Sequence, residues 1–526
     1  MVGLRIRIAA LICISIGFAC QPPPRPAHPN ILFIMADDLG YGDVYAFNPG
    51  SSIPTPHIDR LASQGLSFTN AHAPASVCTP TRYSLLTGRY SWRSNRKKGV
   101  TWVWEGPMID SGRYTIGTML QTAGYHTACI GKWHLGLDWP TRDGLPASLE
   151  NQGKNVDYSS PIKNGPTERG FDYYFGQEVP SFPPHAFIEN ERVTVEPSEW
   201  LQAGEGGIPG AKAPGWRYED LMYRITDKSI SYIRERTLRH PDRPFFLYLA
   251  LSAPHTPIAP HENFQGKTQM GRYGDYVFEM DHHVGHVLDL LDSLGISENT
   301  LVFFSSDNGG VNMDGLPYSS PVGELVKNQG HNSNGDLRGM KSDAWEGGHR
   351  IPFIARWPGK IPAGAVSDAL VSQVDMMATF SALTGVRLPE QAGEDSYNIL
   401  PLLTGASEKV RPALVTQSGE GILSIQDKDW KLILCEGGGG KWTTPGGLPQ
   451  LDSAGGSPVW KNVQLYRIGS DRREETDLAD QYPEKVRELM NLLKEYILGG
   501  RSTPGNPMPT GRAPLWREVE WVRQIE

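Results

Sequence analysis

Short, unbroken apolar runs recur along the chain as far as Trp357, and each ends in polar or charged residues. Ile31-Leu32-Phe33-Ile34-Met35-Ala36 runs into Asp37-Asp38-Leu39-Gly40, and Tyr125 to Ile130 into Gly131-Lys132-Trp133-His134. Pro244 to Leu251 runs into Ser252-Ala253-Pro254-His255, and Thr300 to Ser305 into Ser306-Asp307-Asn308-Gly309. Apolar runs of this length without alternation read as strands covered on both faces, as in a parallel sheet. Ile351 to Trp357 reads as a further strand. Between them stand helical patterns: Thr55 to Ala62, Thr115 to Ala123 closed by Gly124, Tyr218 to Arg236, Tyr276 to Leu294 closed by Gly295, and Ser372 to Thr384. Strands alternating with helices predict an α/β domain built on a large, mostly parallel sheet.

The pattern changes near residue 405. Ile422 to Ile425, Trp430 to Leu434 and Gln464 to Arg467 are short strands between turns, and Pro483 to Ile497 is an amphipathic helix. They predict a small antiparallel sheet with one helix. The expected division is a large domain over 29–405, a hinge at 399–405, and a smaller C-terminal domain over 406–526 whose last stretch, from 499, is a Pro/Gly-rich tail.

Chemistry concentrates where the strands end. Two adjacent carboxylates, Asp37 and Asp38, after a buried strand are costly unless a cation neutralises them, and ligands of open α/β sheets bind at that edge. Lys132 and His134, two apart, share a side if the segment is extended. His255 and Asp307-Asn308 occupy the same kind of position, and Lys341 follows a polar, glycine-rich loop over 311–336. Asp37, Asp38, Asp307 and Asn308 are hard oxygen donors, suited to Ca²⁺ or Mg²⁺ rather than Zn²⁺. Arg82, Lys132 and Lys341 can hold a tetrahedral oxyanion, and His134 and His255 can move protons near neutral pH.

Cys78-Thr79-Pro80-Thr81-Arg82, followed by Thr87-Gly88-Arg89, reads as a helix start. Thr79 is the expected N-cap, Pro80 the first helical residue and Gly88 the C-terminal stop. Cys78 then sits at the positive end of a helix, where anions bind and cysteines are reactive.

Composition narrows the setting. The 526 residues carry 21% charged and 39% hydrophobic side chains with a net charge of -8, which leaves no basic footprint for nucleic acid. Arg5 and Arg7 precede an apolar run, Ile8 to Phe18, too short to span a bilayer, and Ala19-Cys20 precedes prolines. Residues 1–20 are therefore expected to be an export signal and 21–28 a Pro-rich tether, with Cys20 a candidate lipid-anchor cysteine. The expected location is the periplasm, the outer membrane as a lipoprotein, or the extracellular space. Cys78, Cys129 and Cys435 then remain, too few for a disulfide framework, and no paired Cys/His spacing suggests zinc.

Cys-x-Pro-x-Arg with a following Thr-Gly-Arg, in order with the other strand-end motifs, resembles the type I, formylglycine-dependent sulfatases. The resemblance runs from Asp37 to the C-terminal sheet. It implies an alkaline-phosphatase-like fold and conversion of Cys78 to formylglycine (3-oxoalanine) by a maturation enzyme. It implies one divalent cation, Ca²⁺ or alternatively Mg²⁺, on Asp37, Asp38, Asp307, Asn308 and the modified Cys78. Arg82 and Lys132 would steady the aldehyde hydrate, Lys341 would hold the sulfate, and Lys132, His255 and Lys341 would contact substrate. His255, with Lys341, would protonate the leaving oxygen, and His134 would be the base of the second step. The hydrate matters because it carries two hydroxyls: one attacks sulfur and expels the alcohol, and the other ejects sulfate. The implied substrate is a sulfated carbohydrate or an aryl sulfate. The alternatives are a phosphodiester or phosphonate hydrolase of the same superfamily, and an inactive binder of sulfated glycans in which Cys78 stays a thiol. The loops at 137–168 and 177–215 are expected to form lids or substrate walls.

Overall fold

The structure is a computed structural model that describes residues 28–311, 330–452, 459–508 and 515–524. The expected export signal, nearly all of the tether and much of the 311–336 loop lie outside the described residues. No helix among the described residues is long and apolar enough to cross a membrane.

Ten strands form the main sheet. Its middle is parallel: Asn30–Asp37 lies between Thr300–Ser306 and Phe245–Pro254, which pairs with His126–Lys132, which pairs with Tyr173–Gln177. Phe353–Arg356 continues the sheet antiparallel to Thr300–Ser306 and leads to Leu66–Phe68 and Ala365–Ser367. Two short strands, Ile188–Glu189 and Arg192–Val193, extend the other edge. Every residue of Asn30–Asp37 is buried, because helices cover both faces. Ile31, Phe33 and Met35 pack with Leu85 and Leu86 of helix Cys78–Thr87, Met119 of Ile116–Thr122 and Phe380 of Met376–Thr384. Leu32 and Ile34 face the opposite layer, built from Pro56–Ser63, Leu221–Arg239 and Gly271–Ser293. The strand's two-residue period thus feeds two separate cores.

The small domain is a four-stranded antiparallel sheet in the order Leu414–Gln417, Leu423–Gln426, Lys431–Ile433, Gln464–Tyr466, backed by helix Pro483–Gly499. The first of these strands has no counterpart among the strands expected from sequence. Its core also takes Tyr90, Trp92 and Val374 from the large domain. In the segment expected as the hinge, Leu400–Leu403 is a short helix, and Ile399, Leu402 and Leu403 are buried in the main core. The expected tail is likewise docked. Arg517–Gln524 is a 3-10 helix that buries Val519, Trp521 and Val522 against the small sheet, which offsets the Pro/Gly-rich stretch before it.

Candidate active site

Helix Cys78–Thr87 begins two residues earlier than its sequence suggests. Val77 is the extended N-cap residue, Cys78 is already helical, and Thr79 does not cap it. Thr79 Oγ1 is used elsewhere: it donates to His134 O and accepts from Thr101 N. The end matches expectation, with Gly88 left-handed at φ 62°. All ten helical residues are buried, so Cys78 and Arg82, one turn apart, point into the protein at the strand ends.

Asp37 and Asp38 would face opposite ways in a regular strand. Here the register of Asn30–Asp37 against Phe245–Pro254 slips between Met35 and Asp37, and Asp38 adopts φ 66°. Both carboxylates then converge on Cys78, whose Sγ is 3.8 Å from Asp37 Oδ1 and 4.0 Å from Asp38 Oδ1. Lys132 Nζ donates to both oxygens of Asp37 at 2.8 and 2.7 Å. Lys341 Nζ donates to both oxygens of Asp38 at 2.6 and 2.7 Å and lies 3.4 Å from Cys78 Sγ. Arg82 donates Nε and Nη2 to Asp307 Oδ2 at 3.1 and 2.7 Å, and Nη1 to Lys132 O and Tyr248 Oη. Asp307 Oδ1 accepts from Asp38 N, and Asn308 Nδ2 donates to Asp38 Oδ1 at 2.7 Å. His255 Nε2 is 3.9 Å from Asp38 Oδ2.

The ten residues singled out from sequence therefore meet in one place, in two roles. Asp38, Cys78, His134, His255 and Lys341 line a cavity of about 780 Å³. Arg82 and Lys132 stand behind the carboxylates, fully buried, while Lys341 and His255 are on the cavity wall. His134 corrects an expectation. The strand ends at Lys132 and His134 sits at φ 55°, so the two are not neighbours along an extended segment.

Burial sets the protonation pattern. It pushes the Asp37 carboxyl up to about 7 against the pull of Lys132. Asp38 is held below its usual range, because Lys341 and His255 outweigh burial. Asp307 is held low in the same way by Arg82 and Lys132. His255 is pushed down to about 3, and His134 well below its usual value, by burial and the cations nearby. Both imidazoles are thus neutral. His134 Nε2 faces Thr101 O at 3.0 Å, so Nε2 carries the proton and the buried, unpartnered Nδ1 is a free base. His255 Nδ1 faces Thr256 O and leaves Nε2 toward the cavity. Burial and Asp307 push the Cys78 thiol up to about 12, the reverse of the activated cysteine a helix start suggests.

The donor set fits a hard divalent cation. One atom each from Asp37, Asp38, Cys78 and His255 lie within 4.8 Å of one another. Asn308 Oδ1, beside them, is a buried oxygen with no hydrogen-bond partner. Carboxylate and amide oxygens are what such an ion takes.

A family model described as Sulfatase matches residues 29–386. The chain belongs to the sulfatase family. It is a sulfuric ester hydrolase. The sulfatase is 35% identical over 514 residues to an N-acetylgalactosamine-6-O-sulfatase of Bacteroides thetaiotaomicron, covering 89% of this chain and 92% of that one. It is 33% identical to the steryl-sulfatase of Mus musculus, covering 74% and 66%. A solved structure concerned with the metabolism of multiple glycosaminoglycans by Bacteroides thetaiotaomicron superimposes with a TM-score of 0.76 at 33% identity, covering 89% of this chain and 99% of that one.

Two parts of this sulfatase site were not legible in the sequence. Glu178, partly buried and pushed up to about 8 by loss of solvent around its carboxyl, accepts from Gly136 N just past His134. Trp102, Phe182 and Trp442 form cavity walls. Phe182 lies in the 177–215 loop expected as a substrate wall, whereas Trp102 and Trp442 lie in loops with no periodic pattern to flag them. Cys78, Cys129 and Cys435 are free and buried.

Proposed function

We propose that this sulfatase removes sulfate from a sulfated carbohydrate, with a 6-O-sulfated N-acetylhexosamine as the first substrate to try, using an aldehyde hydrate made from Cys78. Supporting the sugar is the relative that acts on N-acetylgalactosamine 6-sulfate, which matches this chain over more of its length than the steryl-sulfatase does. The observation that carries the nucleophile is the state of Cys78. It is a buried thiol on the floor of the cavity, with Sγ 3.8 and 4.0 Å from the carboxylates of Asp37 and Asp38 and 3.4 Å from Lys341 Nζ. The position suits a different nucleophile, an aldehyde hydrate.

Asp37, Asp38, Asp307 and Asn308 would hold Ca²⁺, or Mg²⁺, beside residue 78; the ion would acidify a hydroxyl bound to it and neutralise charge building on sulfuryl oxygens. Lys341, bridging residue 78 and Asp38, would hold the sulfuryl group. Arg82 and Lys132 keep the carboxylates fixed and balance their charge. Lys341 Nζ, a charged donor on the cavity wall, would give the proton to the leaving oxygen. His255 Nε2, open to the cavity but without a proton while Nδ1 donates to Thr256 O, would share that role only after taking one up on substrate binding, and His134 Nδ1 would take the proton of the second step. The chain would be exported, with Cys20 either removed or lipidated, and would need a formylglycine-generating enzyme as partner.

The test is sulfate release from a panel of 6-O-sulfated amino sugars, other sulfated sugars, aryl sulfates and phosphodiesters, with the mass of the Cys78 peptide measured on the same sample. The expected result is a peptide lighter than the thiol form, release from a sugar, and activity lost to a chelator and restored by Ca²⁺. Activity confined to aryl sulfates would remove the carbohydrate. An intact thiol with sugar binding but no release would favour the inactive binder, and dominant phosphodiesterase activity the other hydrolase.

A further inference from the structure

The sequence has 14 tryptophans, and among the described residues two are exposed, Trp102 at 45% and Trp442 at 40%. Both line the cavity above Cys78. Exposed aromatic surface gathered at one cavity marks a binding site. The two rings come from different domains, and each is tied to a residue of the reacting centre.

Trp102 belongs to the large domain. Its neighbour Thr101 gives its carbonyl to His134 and takes a hydrogen bond from Thr79 in the Cys78 helix. Its own N–H donates to Glu105, and its ring meets the edge of Phe182 with centroids 5.0 Å apart. Phe182 in turn meets His134 with centroids 5.8 Å apart. Trp102 is thus the outer end of a packed column that starts at the proposed base.

Trp442 belongs to the small domain and reaches the cavity through a run of four glycines, Gly437 to Gly440. A Cβ on Gly440 would lie 2.1 Å from Asp343 Oδ1, and one on Gly419 would lie 2.1 Å from Ser342 Oγ. Only glycine admits that approach. It lets Lys441 N donate to Ser342 Oγ, and Gly419 N to Ser342 O, at 2.9 and 2.8 Å. Ser342 follows Lys341 directly. The small domain therefore grips the segment that carries Lys341 and holds Lys441-Trp442 over the mouth. Lys441 Nζ is exposed, 5.5 Å from the centre of the Trp442 ring, and has no carboxylate partner among the described residues. The other ion pair at the mouth, Lys98 with Glu420, is already neutral.

We propose that Trp102 and Trp442 are specificity-determining residues that stack on the sugar rings of a glycan held between the two domains, and that Lys441 pairs with an acidic group on the sugar next to the sulfated one. The substrate class is then an acidic sulfated glycan, whose neighbouring unit carries a carboxylate or a second sulfate. Half-exposed ring faces beside an unpaired cation suit an amphipathic, charged polymer better than a wholly apolar alcohol. This inference rests on the carbohydrate reading above.

The experiment uses the full-length protein carrying the converted residue 78, with three probes: a small aryl sulfate, 6-sulfated N-acetylgalactosamine, and that sugar joined to glucuronic acid. Trp442→Ala is expected to raise KM for both sugars about tenfold with kcat kept within twofold, and Trp442→Phe to recover most of the loss. Lys441→Ala is expected to raise KM for the acidic disaccharide about fivefold more than for the monosaccharide, and Lys441→Arg to restore it. Unchanged KM for the sugars in Trp442→Ala, or an equal effect of Lys441→Ala on both sugars, overturns the proposal. Wild-type protein that cleaves the aryl sulfate and neither sugar overturns the carbohydrate reading itself, whatever the variants do.

Discussion

Two clusters of buried charge, one around Cys78 and one that includes the short Glu346–His349 helix, differ in one respect. The first is the centre around Cys78. The second joins the domains: Lys431 Nζ donates to Glu346 Oε1, Glu474 Oε1 and His349 Nε2 at 2.9, 2.8 and 3.0 Å. His349 Nδ1 and His72 Nδ1 are 3.0 Å apart, and Arg350 pairs with Glu346. His72, Glu346 and His349 could be mistaken for a second metal site, since their ligand atoms gather as closely as those at Asp37. However, all three ammonium hydrogens of Lys431 are used, and no side-chain atom of these residues is left buried without a partner. The first cluster keeps Asn308 Oδ1 and His134 Nδ1 unpartnered and opens on a cavity. Buried charge alone therefore says little about function. Unfinished hydrogen bonding beside open space is the feature that separates a site from a lock.

That contrast can be broken in three ways. The largest expected effect is Cys78→Ala, which removes the atom the reacting centre is built on. Sulfate release should fall at least a thousandfold with the melting temperature unchanged; measurable turnover would show that the nucleophile lies elsewhere. Next is Lys431→Met, which leaves Glu346 and Glu474 buried without their cation. It should cost about 3–5 kcal/mol in denaturant unfolding, while kcat/KM of the folded fraction stays within about twofold. A hundredfold loss of kcat/KM would mean that the second cluster is part of the catalytic apparatus.

The smallest effect is at Glu178. Its carboxyl is pushed up to about 8 by burial from a usual value of 4.5, so the folded state holds a proton the unfolded state releases. Its contribution to stability is present below about pH 4.5 and is lost as pH rises toward 8. Glu178→Gln should flatten that part of the profile and raise the melting temperature at pH 8 by a few degrees relative to wild type. Identical pH slopes in the two proteins would show that Glu178 is already ionised in the fold.

Much of the large domain could be read directly. A run such as Ile31 to Ala36 has one stable use in a soluble chain, a strand covered on both faces, and the polar residues that follow such runs must then collect at one edge. Gly88 stops its helix because only a residue without Cβ takes the left-handed turn cheaply. What failed to read was irregular or distant. Thr79 looks like a cap by type, but the helix starts at Cys78 because Thr79 is needed by Thr101 and His134. The tail from 499 read only as Pro/Gly-rich, and packing alone shows that Val519 and Trp521 enter the small sheet's core.

The sequence by itself determined the layered α/β fold, the residues that meet around Cys78 and the family, because apolar period and short motifs are local properties of the chain. Tertiary structure alone decided how the two aspartates come to face one thiol, which cations reach the cavity and which stand behind it, and which aromatic rings form its walls. Those outcomes depend on a slipped strand register, on left-handed turns at Asp38 and His134, and on a glycine loop closing on a segment about 100 residues before it, and no local pattern encodes such meetings.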